Sequence, residues 1–127
     1  MKRLLIINIL MMLLTGCTAI SSVRHALPRE HDPALAYGFV TTKIEVSKLD
    51  CKDKSKWERT IDGAIWLNSY AEFREDPQLE NTKALVSDLN KANQAKTDTS
   101  CKLWLDLANE RIVVLNKVWG QIGRAHV

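Results

Sequence analysis

The stretch CKLWLDLANERIVVLNKVW, residues 101–119, decides the fold of this chain. Its apolar residues recur at alternating spacings of four and three, as in a heptad repeat, and this spacing predicts an α-helix. The stripe consists of Cys101, Leu105, Ala108, Ile112, Leu115 and Trp119. Leu103, Trp104, Leu107, Val113, Val114 and Val118 add apolar surface on other sides. A helix that is apolar nearly all round is either central and buried or covered by a partner.

Two further helices are predicted upstream of this stretch. Ser55 and Glu58 have the spacing of a capping box, and the helix that they open should run to Glu75. Its expected apolar face consists of Trp57, Ile61, Ile65, Trp66, Tyr70 and Phe73. Asp76-Pro77 then supplies an N-cap and a first-turn proline for an outer helix with a narrow buried stripe. The short connection predicts that these two helices are antiparallel.

Residues 39–46 have a different pattern, which favours extended backbone. Asp32-Pro33 offers a helix start, but Gly38 interrupts it, and the β-branched residues that follow partly alternate. The alternative is a short helix, or an extended segment packed on the bundle. We therefore predict a mainly α fold with one disulfide: a three-helix unit at about 55–75, 77–96 and 100–119, and a short extended or strand-like segment at about 39–46.

The beginning of the chain has the pattern of a signal peptide. Lys2 and Arg3 precede an apolar run that is too short to span a bilayer, which takes about 20 apolar residues. The run ends in Leu14-Thr15-Gly16-Cys17, which resembles the lipobox of bacterial lipoproteins. The resemblance implies cleavage between Gly16 and Cys17, and a covalent diacylglycerol and an N-acyl chain such as palmitate on Cys17. It also implies the periplasmic face of the outer membrane, rather than the inner membrane, because Thr18 and not Asp follows the cysteine.

The other end of the chain has an unusual hexapeptide. A DNA sequence that encodes residues 122–127 resembles a common sequencing adapter, so we expect residues 121–127 to be an artefact and genuine sequence to be missing after Gly120. The alternative is a natural frayed C-terminus. The predicted organisation is a signal peptide at 1–16, a lipidated N-terminus and tether at 17–32, a truncated helical periplasmic domain at 33–120, and the artefact at 121–127.

Cys51 and Cys101 remain once Cys17 carries lipid. The periplasm is oxidising, so this pair predicts one disulfide, which would tie together the N-terminal ends of the first and third predicted helices as roughly parallel neighbours. A metal pair or a reactive thiol couple is the alternative, but neither a CxxC spacing nor a nearby histidine supports it.

The charge balance argues against nucleic acid as a partner. The formal charge is +3, but loss of Lys2, Arg3 and Arg124 reduces the 18 basic residues by three, to match the 15 acidic ones. A mature chain of zero net charge has no electrostatic footprint for a polyanion.

The sequence contains no recognisable catalytic constellation. It lacks a GxSxG elbow, an HExxH pair and a glycine-rich phosphate loop. Its histidines lie in the predicted tether (His25 and His31) or in the suspected artefact (His126), so the commonest general base is absent from residues 32–120. We therefore predict no catalytic residue, no metal site, and no cofactor beyond the lipid on Cys17.

These observations predict a non-catalytic accessory or adaptor lipoprotein, anchored in the membrane by lipid, that binds another protein of the cell envelope. The alternative is a lipoprotein that binds peptidoglycan or another glycan, with or without enzymatic activity, through exposed tryptophans. Core packing is the favoured role of the four tryptophans. Trp57 is the predicted exception, a ligand or partner contact, because it lies beside Lys54, Lys56 and Arg59.

Overall fold

The computed structural model describes the backbone of residues 32–124 and the side chains of residues 32–120. Four helices make up this part of the chain: α1 Pro33–Ser47, α2 Trp57–Phe73, α3 Leu79–Gln94 and α4 Asp98–Arg124. The signal peptide, the lipobox, the tether up to His31 and residues 125–127 lie outside the described residues. None of the described helices is long and apolar enough to cross a membrane.

The helices form an up-and-down four-helix bundle. Each helix packs on its neighbours in the order α1, α2, α3, α4, and α4 closes the ring by packing on α1. The connections are short, and side-chain pairs such as Arg59 with Glu45, at 3.1 Å, and Lys43 with Asn116, at 3.1 Å, join antiparallel neighbours. Helices at opposite corners of the described bundle make no close contact with each other. The mainly α fold predicted from the sequence is confirmed.

The core is built from apolar side chains of all four helices. The predicted stripe of α4 is confirmed, since its residues are buried except for the half-buried Leu105. The main core cluster consists of Leu35, Phe39, Val46, Ile61, Ala64, Leu67, Leu85, Leu89, Ala108, Ile112, Leu115 and Trp119. Phe39 and Trp119 meet edge to face, with ring centroids 5.3 Å apart, and so close the α1–α4 seam.

The predicted strand-like segment at 39–46 is wrong, because these residues lie inside α1. The Asp32-Pro33 start does open a helix: the Asp32 carboxylate accepts a hydrogen bond from the Leu35 amide, at 3.1 Å. Helical spacing then buries Phe39, Thr42 and Val46 on one side. Tertiary burial of this stripe outweighs the low helix propensity of β-branched residues. The bundle therefore has four helices where three were predicted.

The helical phase predicted for α2 is also wrong in part. Ile61 is buried as expected, but Ile65, Trp66 and Phe73 are exposed. Smaller residues take the inner positions of this helix, and they are Thr60, Ala64, Leu67 and Ala71. The predicted capping box is absent as well, since α2 begins without a side-chain cap.

The disulfide between Cys51 and Cys101 is confirmed, with a Cα–Cα distance of 6.0 Å. Cys51 lies in the α1–α2 connection and Cys101 in the first turn of α4. The prediction that the bond makes α2 and α4 neighbours is wrong, because these helices occupy opposite corners of the described bundle. It instead fastens the α1–α2 connection to the start of α4.

Candidate interaction surface

Three aromatic side chains project from the outer side of α2. Trp66, Tyr70 and Phe73 are spaced at i, i+4 and i+7, which places them on one side of a helix. Trp66 is 43% exposed and Phe73 is 84% exposed, while Tyr70 is half-buried. We call these three residues the aromatic face.

Trp66 and Tyr70 are stacked, and the stack rests on α1. Their rings are nearly parallel, at 10°, with centroids 5.0 Å apart. A Cβ atom built on Gly38 would come within 2.3 Å of the Trp66 ring, so only glycine lets the indole lie this close to α1. Stacked pairs of this kind contribute about 0.5–1.5 kcal/mol beyond the area that they bury. The indole is therefore held in place while nearly half of its surface stays in solvent.

A polar cluster fixes the other end of the aromatic face. The Tyr70 hydroxyl donates to one Asp32 carboxylate oxygen, at 2.7 Å, and the Arg74 guanidinium donates to the same oxygen, at 2.5 Å. The guanidinium carbon also lies 5.9 Å from the centroid of the Tyr70 ring, which is cation–π distance. Asp32 thus caps α1 and also holds Tyr70 of α2 and Arg74, the residue that follows α2.

The cluster shifts the pKa values of its two titratable groups apart. Burial raises the pKa of Asp32, but the hydrogen bond from Tyr70, the Leu35 amide and the charge of Arg74 outweigh it and lower the pKa below 3.8. The hydrogen bond to Asp32, together with burial, raises the pKa of the Tyr70 phenol above 10.0. Both shifts move the pKa away from neutral pH, so Asp32 stays charged and Tyr70 stays a hydrogen-bond donor there.

The aromatic face offers partly exposed aromatic side chains with an ion-paired arginine at one end. Such a surface binds by stacking, by apolar contact and by cation–π interaction, and aromatic residues and arginine are enriched at protein interfaces for this reason. Among the residues that the structure describes, no group of His, Cys, Asp and Glu side chains could hold a metal ion.

Trp57, the tryptophan singled out from the sequence, is buried and does not belong to this surface. It is 1% exposed, its indole N–H donates to the Asp50 carbonyl at 2.9 Å, and the Lys54 ammonium lies 4.1 Å from its ring centroid. Of the basic residues near it in the sequence, Lys54 covers the ring, whereas Arg59 pairs with Glu45. Because its ring is buried, Trp57 does not present the exposed surface that a ligand or partner contact was predicted to need.

The other sequence-predicted site residues divide in two. Gly16 and Cys17, the predicted cleavage and lipidation site, lie outside the described residues. Cys51 and Cys101 are bonded to each other, and Cys101 is buried beside Trp57 and Ala92 in a second core cluster. The disulfide is thus part of the packing at one end of the bundle.

Sequence reasoning missed the exposure of Trp66 because it assigned the largest residues of α2 to the core. A signal was present in the spacing of Ala64, Leu67 and Ala71, which together with Ile61 forms an equally regular helical stripe. Small residues on that stripe let α2 approach its neighbours, and this phase turns Trp66 and Phe73 outward.

Comparison with known proteins adds no family to this description. No family model matches the chain, and no curated protein or solved structure is significantly similar to it.

Proposed function

We propose that this chain is a lipid-anchored accessory or adaptor protein of the outer membrane, facing the periplasm, that binds another envelope protein through the aromatic face. The lipobox resemblance of Leu14 to Cys17 supports the anchor. The observation that carries the binding role is the Trp66–Tyr70 stack, which stays exposed although Gly38 and Asp32 hold it in place.

Preorganisation is what distinguishes this face from a random exposed hydrophobic residue. Ordering one rotamer-rich side chain on binding costs about 0.5–1.5 kcal/mol. Much of that cost is removed in advance by the Trp66–Tyr70 stack, the close contact of Trp66 with Gly38, and the hydrogen bond from Tyr70 to Asp32. Phe73 is fully presented beside it, at 84% exposure. Large aromatic side chains of this kind dominate the binding energy of protein interfaces.

A pull-down of the tagged, lipidated full chain from cell envelopes tests this proposal. The wild type should recover a stoichiometric partner, and Trp66→Ala should lower its recovery about tenfold or more, as expected when a binding hot spot is truncated. Ile65→Ala is the matched control, because Ile65 directly precedes Trp66 on the same helix and is 44% exposed, against 43% for Trp66. Its partner recovery should stay near wild type.

Three outcomes would overturn the proposal. The first is a chain that, after cross-linking in the envelope, carries no stoichiometric partner. The second is equal loss of the partner in the Trp66 and Ile65 variants. The third is recovery of the wild type in the soluble periplasmic fraction to the same extent as the Cys17→Ala variant, which would refute the lipid anchor. Far-UV circular dichroism of each variant separates loss of binding from loss of fold.

A second candidate function is binding to peptidoglycan or another glycan, since an exposed indole can stack on a sugar ring. The observation that favours it is again the exposure of Trp66 beside Tyr70. Titration with peptidoglycan fragments should shift tryptophan emission to the blue, and Trp66→Phe should remove that shift. An unchanged spectrum up to millimolar fragment would exclude this function.

A further inference from the structure

A second apolar surface lies on α4, away from the aromatic face, and its occupant is inferred for the membrane-anchored chain proposed above. Leu103, Val114 and Val118 are 58%, 41% and 37% exposed, and Leu107 is half-buried. Their spacing of four, seven and four residues keeps all four on one side of the helix. We call these four residues the α4 stripe. Its outer surface is left uncovered by the packing of the bundle.

Two opposite charges flank the middle of the α4 stripe. Glu110 is exposed and forms no ion pair within the part of the chain that the structure describes. Arg111 lies on the other flank, and its Nε atom is 3.3 Å from the buried Asp88 carboxylate. Asp88 holds the guanidinium in place, while 40% of the Arg111 side chain remains exposed. A guanidinium has five N–H donors, so donors remain for a second carboxylate.

We propose that a second copy of this chain covers the α4 stripe, with the two α4 helices parallel about a two-fold axis. In a parallel pair, opposite flanks of the two helices face each other, so Glu110 of each copy meets Arg111 of the other. In an antiparallel pair, like flanks meet, so Glu110 would face Glu110 and Arg111 would face Arg111. Charge complementarity therefore selects the parallel dimer.

The parallel arrangement also fixes where the described parts of the two copies begin. A two-fold axis along the bundle places residue 32 of both copies at the same end of the dimer. The stripe is much smaller than a standard interface of about 20–30 residues per side. The dimer is therefore weak in dilute solution and gains population where the protein is concentrated, as on a membrane.

Site-specific photo-cross-linking of the full chain in membranes tests the dimer. A benzophenone amino acid at position 114 should give a cross-linked homodimer on illumination. The same probe at position 113 is the matched control, because Val113 is 55% exposed but lies about 100° away around the helix. It should give roughly fivefold less dimer or none.

The site of attachment tests the orientation. A parallel dimer places position 114 beside position 114 of the other copy, so the cross-link should map to the tryptic peptide 112–117. An antiparallel pairing about the middle of the stripe would place it in peptide 103–111. Attachment in peptide 103–111, a cross-link only to another protein, equal yields from positions 113 and 114, or no dimer would each overturn the proposal.

Charge reversal gives an independent check. Glu110→Arg replaces both attractive pairs by repulsive ones and should lower the dimer yield about fivefold, since exposed ion pairs contribute only modestly to association. Asp62→Arg makes the same charge change at an exposed position of α2, which makes no close contact with α4, and should leave the yield within twofold. Equal effects of the two substitutions would overturn the pairing of Glu110 with Arg111. Circular dichroism confirms the fold of both variants.

Discussion

Replacement of Gly38 by alanine should destabilise this protein, although the same change usually stabilises a helix. Alanine is favoured over glycine in a helix interior by about 1 kcal/mol. At position 38, however, the added Cβ would meet three atoms of the Trp66 ring, at 2.3, 2.9 and 3.0 Å. Real Cβ atoms do not approach other heavy atoms so closely, so the indole has to move outward.

The magnitude follows from two opposing effects. Overpacking of a well-fitted contact costs about 1–3 kcal/mol, and loss of the Trp66–Tyr70 stack adds about 0.5–1.5 kcal/mol. The helix-propensity gain of about 1 kcal/mol offsets part of this. We expect a net loss of about 0.5–3.5 kcal/mol in the free energy of unfolding. In a domain of this size that corresponds to a melting temperature about 4–8 °C lower per kcal/mol.

Gly120→Ala is the matched control for this prediction. The nearest atom to a Cβ at position 120 is the Asn116 Oδ1 atom, at 3.9 Å, which is an ordinary contact. This substitution should therefore stabilise the protein by up to about 1 kcal/mol, less where the end of α4 frays. Urea titration followed by far-UV circular dichroism measures both changes with one method.

The result that would refute the reasoning is a Gly38→Ala variant as stabilised as Gly120→Ala. A second measurement localises the effect: the Trp66 part of the fluorescence, obtained by difference from a Trp66→Phe background, should shift to the red in Gly38→Ala. An unchanged Trp66 emission together with lower stability would show that the glycine acts through the helix backbone and not through the indole.

Three further predictions concern the disulfide, the cap of α1 and two buried indoles. Replacement of Cys51 and Cys101 by serine should lower the free energy of unfolding by about 4 kcal/mol, from the loop-closure entropy of a sequence separation of 50, as urea titration of the oxidised and double-serine proteins will show. The folded pKa of Asp32 lies below its ordinary 3.8, so its charge contributes stability above that pH. The difference in the free energy of unfolding between wild type and Asp32→Asn should therefore narrow as the pH falls below 3.8, and a difference independent of pH would contradict this. Trp119→Phe should destabilise the protein about 1 kcal/mol less than Trp57→Phe, because the Trp57 indole N–H has a hydrogen-bond partner and that of Trp119 has none among the described residues. Equal losses in thermal melts would be inconsistent with this assignment.

The fold class could be predicted from the sequence because the strongest pattern was long and regular. The core-facing residues of α4 recur at helical spacing from Cys101 to Trp119, and nearly all of them are buried. The oxidising context predicted for Cys51 and Cys101 likewise gave the correct pair. Long periodic segments and a single available cysteine pairing leave few alternatives.

The first helix could not be predicted in the same way, because local and tertiary preferences disagree there. Val40, Thr42, Ile44 and Val46 alternate and are β-branched, which favours a strand when the segment is considered alone. In the bundle, Thr42 and Val46 are buried with Phe39, whereas Val40 and Ile44 are exposed. Only the presence of the other helices makes the helical stripe the better buried one.

The candidate surface was harder still to predict, because size and hydrophobicity do not reveal which phase of α2 faces inward. Trp57 and Trp66 both stand in apolar surroundings in the sequence. Contacts between separate segments decide both cases: the Trp57 indole donates to the Asp50 carbonyl, and the Trp66 ring packs against Gly38. Exposure of one tryptophan and burial of the other are therefore properties of the assembled bundle.

The hydrogen bonds of Asp32 have a mechanical consequence. Asp32 directly precedes α1, and its carboxylate is hydrogen-bonded to Tyr70 of α2 and to Arg74, the residue that follows α2. A pulling force between Asp32 and a molecule held on the aromatic face would pass through these two bonds before it loads the apolar core. The disulfide at Cys51 would then stop any unravelling that begins at α1. Under tension, the Asp32 cluster is the part that yields first, and α1 is the longest piece of helix that can peel away.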